Sequence, residues 1–393
     1  MNNRKCVWML NHHANYGLRH HELAKEFVKY GYQVVIIASS YLKEAGYLYK
    51  ENCHIELVEE NIAFAWLHTA PAYSGNGIGR VCNMLSYVSM VKRNAKLIKS
   101  RFGEPSCVIG SSVHPLAWEA AWWVARKYNA KFICEVRDFW PLSITEILGV
   151  SSLNPAVPFF SLVERRAYSR SAAIITTMPY GYKYICEELG YPRAKVNWIP
   201  NGIHLSEAAG SVTIPDELDD FLSSHWCCIY TGSFVKSECI DFMLDAFAEL
   251  KGKEIYFAIV GSGHEQESIE KKIVELSLEH VRVFPRIEKK QVMAALETLS
   301  VYRFGLSLNK LNDYLLSETP VIFACDAPNV VQETENISIP YGDPRQMADE
   351  ILRVKDMDEE IYARVGKSGR SVIESTFDYE LLAKKYLCII EQT

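Results

Sequence analysis

Among the 11 cysteines of this 393-residue sequence there is no Cys-x-x-Cys pair and no His/Cys grouping at zinc spacing. The count is odd and the residues are scattered singly apart from Cys227-Cys228, so neither a disulfide framework nor a structural metal site is indicated. The thiols read instead as small apolar residues in a reducing cytoplasm. Positive charge is not in excess: the net charge of −6 gives no support for nucleic acid as the main partner. No apolar run approaches the ~18–20 residues needed to span a bilayer. The opening Met-Asn-Asn-Arg-Lys-Cys-Val-Trp-Met-Leu is interrupted at once by His12 and His13 and does not read as a signal peptide. Short-period repeats and low-complexity tracts are missing, as is a Gly-x-Gly-x-x-Gly dinucleotide fingerprint.

What is present is an ordinary globular balance, 49% hydrophobic and 23% charged, at a length that suits two domains. A short apolar strand at 5–10 leads into a polar, Gly-containing loop at 11–17. Helical sequence follows at 18–29, then a strand at 33–38. This β-loop-α-β unit opens a doubly wound α/β domain. Strand 107–110, helix 115–128, strand 131–136, a helix around 159–170 and strand 172–176 continue the alternation, and 196–202 ends in a Pro-Asn-Gly turn. Between about 205 and 225 the sequence loosens into Ser, Gly, Pro and acidic residues, the best candidate for a linker. A second alternation then begins: strand 227–230, helix 238–250, strand 255–260, helix 265–278, strand 281–284 and strand 320–324. Two such halves make a natural interdomain cleft for a ligand. The last helix, about 379–391, is amphipathic and can pack on either domain.

Residues 304–322, Phe-Gly-Leu-Ser-Leu-Asn-Lys-Leu-Asn-Asp-Tyr-Leu-Leu-Ser-Glu-Thr-Pro-Val-Ile, are the most informative stretch. Ser307 is placed to cap a short helix. Asn309 and Lys310 fall in its first turn, where free N–H groups and the helix dipole favour an anion. Asp313, three residues beyond Lys310, projects from the same face. A phosphate at the helix start and a ribose one turn further in would satisfy both, which suggests a sugar-nucleotide site. A surface helix with a Lys–Asp ion pair fits the same spacing.

Taken together, these segments resemble the retaining glycosyltransferases of family 4. Residues 258–263, Ala-Ile-Val-Gly-Ser-Gly, match the family's strand and Gly-x-Gly turn; 199–202, Ile-Pro-Asn-Gly, match the stretch closing its N-terminal domain. The block 304–322 resembles the variant Ser-Pro-Asn-Lys-Leu-x-Asp-Tyr of bacterial surface-polysaccharide enzymes, and 137–141, Arg-Asp-Phe-Trp-Pro, recurs in that subgroup. The resemblance implies an α/β chain of GT-B architecture, two facing Rossmann-like domains with an interdomain cleft. Its division is an acceptor domain at 1–208, a nucleotide-sugar donor domain at 209–375 and a C-terminal helix at 376–393 that can return to the first domain. Departures are specific. Where most of the family carries Glu-x7-Glu, this chain has Gly305 and Asp313, and the subgroup's proline is Leu308. The Arg and Lys that usually hold the diphosphate align with Ser233 and Glu238, leaving Lys236 and Lys310 as substitutes, since a diphosphate needs a cation or several amides.

The candidate donor-binding residues are Gly17, Gly232, Ser233, Lys236, Arg286, Asn309, Lys310 and Asp313. Gly17, in the loop 11–21, lets backbone approach a phosphate or sugar. Four histidines in that loop (12, 13, 20 and 21) invite a metal reading, but adjacent pairs point apart on a regular backbone, and no metal or cofactor is assigned. His114 and Asp138 are the catalytic candidates, both following strand ends where α/β sheets place ligands. The resemblance puts His114 near the reacting centre, against the donor sugar and acceptor hydroxyl. A neutral imidazole with a pKa near ~6.5 would accept or relay a proton. Asp138 is placed to orient an acceptor or act as a base, and Arg137 to hold an anion; a structural ion pair between them is equally compatible. No Asp-x-Asp suited to a metal-bridged diphosphate stands out. The family's front-face displacement, in which the departing diphosphate helps deprotonate the acceptor, makes stabilisation of the leaving group the main demand on the protein.

A helix at 80–101 is basic in its second half. Lys92, Arg93, Lys96 and Lys99 suit anionic lipid headgroups, although a charge run also describes a solvated face. The aromatic, Gly-rich stretch 66–79 suits an acceptor loop. The implied function is transfer of a hexose or N-acetylhexosamine from a UDP-sugar to a lipid-linked glycan in bacterial surface-polysaccharide synthesis, in the cytoplasm and at the inner membrane face. A nucleotide-sugar 2-epimerase and a non-catalytic sugar-nucleotide-binding scaffold of the same fold remain as alternatives.

Overall fold

The computed structural model describes residues 5–42, 46–71, 78–147, 150–205, 214–287 and 309–393. The chain divides into two compact units, one of residues 1–200 with 382–393, the other of residues 201–381. The boundary read at 208/209 lies in the stretch 206–213, outside the described residues.

The first unit contains β1 (Cys6–Leu10), α1 (Arg19–Lys29), β2 (Gln33–Ser39), the short antiparallel pair β3 (Tyr41–Leu42) and β4 (Gly46–Tyr47), β5 (Cys53–Glu59) and β6 (Ile62–Leu67). It continues with α2 (Ile78–Phe102), β7 (Cys107–Ser111), α3 (Leu116–Lys127), β8 (Lys131–Val136), α4 (Trp140–Leu142), α5 (Ala156–Arg170), β9 (Ala173–Thr176) and β10 (Val196–Trp198). Eight strands form one sheet in the order β10-β9-β8-β7-β1-β2-β6-β5, parallel throughout except for the antiparallel pair β5/β6. β1, β2 and β7 are near-continuous apolar runs, as strands covered by helices on both faces must be. The order reverses between β1 and β7. A crevice opens at such a switch point beyond the carboxyl ends of the strands, and there the loops after β1 and β7 lie side by side.

Two sequence expectations change in this unit. Trp66 and Leu67 belong to the buried strand β6 rather than to an acceptor loop, whose residues 72–77 lie outside the described set. The β5/β6 pair itself was unmarked in the sequence, its turn made by Asn61 at φ +67°.

The second unit holds α6 (Asp216–Ser224), β11 (Cys227–Ser233), α7 (Ile240–Glu249), β12 (Tyr256–Ser262), α8 (Gln266–Glu275), β13 (Val281–Phe284), α9 (Asn309–Leu316), β14 (Ile322–Ala324), β15 (Ile337–Ile339), α10 (Pro344–Lys355) and α11 (Glu359–Thr376). Strands β11-β12-β13 form one parallel sheet and β14-β15 another pair. The proposed linker is therefore helical in its second half. Asp216, Glu217 and Asp219 complement the dipole at the start of α6, and Leu218 is buried with Ala258, Val260 and Phe284. The Gly-x-Gly turn after β12 has a packing origin. A Cβ on Gly261 would stand 1.8 Å from the Gly232 carbonyl oxygen, and one on Gly263 2.2 Å from that of Phe234.

The last helix, α12 (Tyr379–Gln392), contributes its residues from Leu382 onward to the first unit. Tyr386 is buried there against Phe27, ring centroids 5.7 Å apart.

Candidate functional site

The loop after β1 is built from its first residue. Asn11 is buried, and its side-chain carbonyl accepts from the His13 amide at 2.9 Å. Its amide group contacts His20 Nδ1 at 3.2 Å and donates to Ser111 Oγ at the end of β7 at 3.4 Å. Asn11 thus joins the two strand ends across the switch point. Gly17 adopts φ +66°, a left-handed conformation that side chains resist, and its amide donates to His21 Nδ1 at 3.0 Å.

His12 and His114 meet inside this frame. His12 Nδ1 and His114 Nε2 are 2.8 Å apart, and the rings are 1% and 3% exposed. Tyr87 of α2 stacks on His12, centroids 4.5 Å apart and planes 14° from parallel. Burial, reinforced by the charges of His13 and Arg80, pushes His114 down to about 3; burial and the neighbouring histidines hold His12 well below its ordinary value. This corrects the expectation of an imidazole titrating near neutrality: both rings stay neutral across the physiological range. His114 Nδ1 is buried without a hydrogen-bond partner.

Asp138 follows β8 and is exposed. It makes no hydrogen bond to His114. Arg80, whose guanidinium lies over the Trp140 ring at 4.7 Å, acts electrostatically on His13, His114 and Asp138 alike. Sequence reading missed Arg80, because it looked for charge in the second half of α2.

A second cluster also escaped the sequence reading. Glu135, in the middle of the sheet, is fully buried and accepts from Arg19 Nε at 3.0 Å, Arg19 Nη2 at 2.9 Å and His20 Nε2 at 2.8 Å. Burial alone would raise its pKa, but Arg19 and His20 outweigh that and hold the carboxyl well below the usual range. Arg19 also donates to the carbonyls of Ile199 (3.0 Å) and Pro200. The one signal in the sequence was a lone acid inside the apolar run Lys-Phe-Ile-Cys-Glu-Val.

In the second unit, the Tyr314 hydroxyl donates to the Thr231 carbonyl at 3.0 Å and so ties α9 to the carboxyl end of β11. Asp313, the residue before Tyr314 on this helix, is buried. Asn312 donates to the Asn201 carbonyl at 3.2 Å, anchoring the same helix from its other side. Lys236 is exposed just beyond β11, and Tyr230 donates to Glu238, one of the positions where the resemblance expected a cation, at 3.3 Å. Arg286 is exposed past β13, two strands from β11. Asn309 and Lys310 open α9, but their side chains, with Gly305, Ser307 and Leu308, lie outside the described residues. Lys92, Arg93, Lys96 and Lys99 are all exposed on α2; Lys92 lies 5.7 Å over the Trp123 ring and Lys99 pairs with Glu104. Among the described residues no group of three or more His, Cys, Asp or Glu side chains is arranged to hold a metal ion, and no helix is long and apolar enough to cross a membrane.

Residues 19–207 match the family model described as Glycosyltransferase Family 4, and residues 227–356 match Glycosyl transferases group 1. The chain belongs to the family 4 type of glycosyltransferases. No curated protein matches its sequence. Among solved structures, the sucrose-phosphate synthase of Thermosynechococcus elongatus is similar over 99% of both chains, with a TM-score of 0.73 at 15% identity. A UDP-forming trehalose-phosphate synthase of Burkholderia xenovorans, also over 99% of both chains, gives 0.72 at 11% identity. HepE of Anabaena, solved with UDP and glucose, gives 0.68 at 13% identity over 99% of this glycosyltransferase and 100% of its own chain. The fold is GT-B.

Proposed function

We propose that this glycosyltransferase moves a hexose or N-acetylhexosamine, with retention, from a UDP-sugar to a lipid-linked glycan acceptor of a bacterial surface polysaccharide. The observation that supports the donor assignment is the Tyr314–Thr231 bond, because it ties the helix that bears Asp313 to the carboxyl-terminal part of β11, and α/β sheets bind nucleotides at the carboxyl ends of their strands. The fold shared with HepE, which was solved with UDP and glucose, favours the same class of donor. In this reading Asp313 accepts from the ribose hydroxyls, and Gly232, Ser233, Lys236, Asn309 and Lys310 serve the diphosphate. The acceptor oxygen bonds to the anomeric carbon as the bond to the diphosphate breaks, and the acceptor proton passes to the departing diphosphate. Asp138 orients the acceptor.

Calorimetry with UDP, GDP and ADP tests the donor. Selective UDP binding at micromolar concentration is expected, and Asp313→Ala should weaken it by about 1–3 kcal/mol, the range for hydrogen bonds to a charged group. Unchanged UDP affinity in the variant removes Asp313 from the site. Preference for GDP keeps the transferase and changes the donor, whereas no binding at all favours the scaffold alternative. Release of an epimerised sugar nucleotide without acceptor favours the 2-epimerase.

The lipid-linked acceptor has its own support. Helix α2 carries Arg80, Lys92, Arg93, Lys96, Lys99 and Arg101 and no acidic residue, in a chain of net charge −6. Val81 and Leu85 stand exposed about three and two turns before Lys92, on the same face at i, i+4 spacing. Phe160 of α5 packs in one cluster with Met84 of α2, and its exposed neighbours Phe159 and Leu162 extend the apolar surface. Apolar side chains flanked by lysines suit a peripheral contact with anionic lipid, at about 1 kcal/mol per cation. Replacing Lys92, Arg93, Lys96 and Lys99 by glutamine should lower co-sedimentation with phosphatidylserine vesicles at least about tenfold. Sedimentation like that of the parent would reduce the basic face to a solvated one.

A further inference from the structure

We propose that His12 is a positioning residue that fixes the ring and the tautomer of His114, so that His114 Nδ1 meets a sugar or acceptor hydroxyl in one defined hydrogen-bonding role. The inference rests on the glycosyl-transfer reading for its substrate and on geometry for the pair. Two ring nitrogens 2.8 Å apart share one hydrogen. With both rings neutral, their tautomers are locked in step. If His12 carries its proton on Nδ1, His114 Nε2 is bare and His114 carries its proton on Nδ1. If His12 carries it on Nε2, His114 donates through Nε2 and its Nδ1 is bare. The state of His12 therefore decides whether His114 presents a donor or an acceptor.

The pair is rigid. Tyr87 stacks on His12 and is itself fixed by a 2.7 Å hydrogen bond to the Ile37 carbonyl, while the Ser39 amide donates to the His12 carbonyl at 2.9 Å. His114 is packed edge-on to His12, centroids 5.0 Å apart and planes at 85°. His12 Nδ1 and His114 Nε2 satisfy each other, and His114 Nδ1 is left buried and unpartnered. A buried polar atom without a partner costs free energy until a ligand satisfies it. A hydroxyl, both donor and acceptor, is the group that either locked state accepts.

The test combines histidine 15N NMR with steady-state kinetics on the full chain and on His12→Phe and His12→Asn. The phenyl ring keeps the stacking on Tyr87 and removes the nitrogen; the asparagine amide stands near the place of Nδ1. The parent should show His12 and His114 neutral and in the same tautomer, and His12→Phe should leave His114 in a mixed or altered one. In His12→Phe, kcat should fall at least about tenfold with the donor KM within about twofold, and His12→Asn should recover most of the loss. Opposite tautomers in the parent, parental kcat in His12→Phe, or equal losses in both variants at parental Tm would overturn the proposal. If His12→Phe does not fold, the parent spectrum and His12→Asn still decide. A parent that turns over no nucleotide sugar overturns the transfer reading and the kinetic role with it, while the matched tautomers are judged by NMR alone.

Discussion

Glu135→Ala should destabilise the protein by about 3–5 kcal/mol, the cost of leaving a buried charge without its partner. Arg19 is the charge at stake. Its side chain is 4% exposed, and its ion pair with Glu135 is accompanied by bonds to the Ile199 and Pro200 carbonyls, which cannot neutralise it. His20 Nε2 would lose its acceptor in the same step. Glu135→Gln should cost less, because an amide oxygen still accepts one of these bonds. Urea unfolding at pH 7 measures both; a loss below 1 kcal/mol for the alanine variant would show that water or repacking replaces the carboxylate. The pH dependence has a definite sign. Glu135 is held well below the usual carboxylate pKa, so its contribution is complete above the unfolded value of about 4.3 and is lost as pH falls through the folded value. His20, lowered by burial although Glu135 pulls the other way, adds a loss of stability below about pH 6.5, where the unfolded chain takes up a proton that the folded chain excludes. The alanine variant should therefore lose the acid step below pH 4.3 and keep a fall beginning near 6.5.

His114→Ala should reduce kcat by about 10²-fold, the lower range for a positioned polar group at a reacting centre, while donor KM changes much less. Equal losses in both would reduce His114 to a binding contact. Because burial holds the ring at about 3, the parent pH–rate profile should show no step near pH 6.5 that this substitution removes. Such a step would place a titrating His114 in the reaction and contradict the neutral dyad. The variant also strands His12 Nδ1 in the interior, at about 1–3 kcal/mol of stability, so activities are compared at temperatures where both proteins are folded.

The fold was legible wherever apolar runs alternated with helical periodicity over consecutive segments: β1, α1, β2, β7, α3 and β8 lie within a residue or two of their expected bounds. Legibility failed where side chains alternate on a half-exposed strand, as in β5 with its Ile55 and Leu57, and where a polar stretch hid a helix held by a single buried leucine, as in α6. For the candidate site, local pattern singles out His114 and Asp313 as candidates, since His114 follows a strand end and Asp313 follows the start of a helix. The Glu135 cluster depends on groups 115 and 116 residues apart, and the His12–His114 contact on a separation of 102. No local pattern encodes such pairings; the sheet order creates them.

The chain leaves the first unit at Pro200 and returns to it at Leu382. Arg19 grips the backbone at the point of exit, and Tyr386, one helical turn after the return, reaches the same carboxylate with its hydroxyl, 3.4 Å from Glu135. In mechanical terms Glu135 is a common root for both passages. A pull or torque arriving along either passage reaches the same ionic cluster in the sheet.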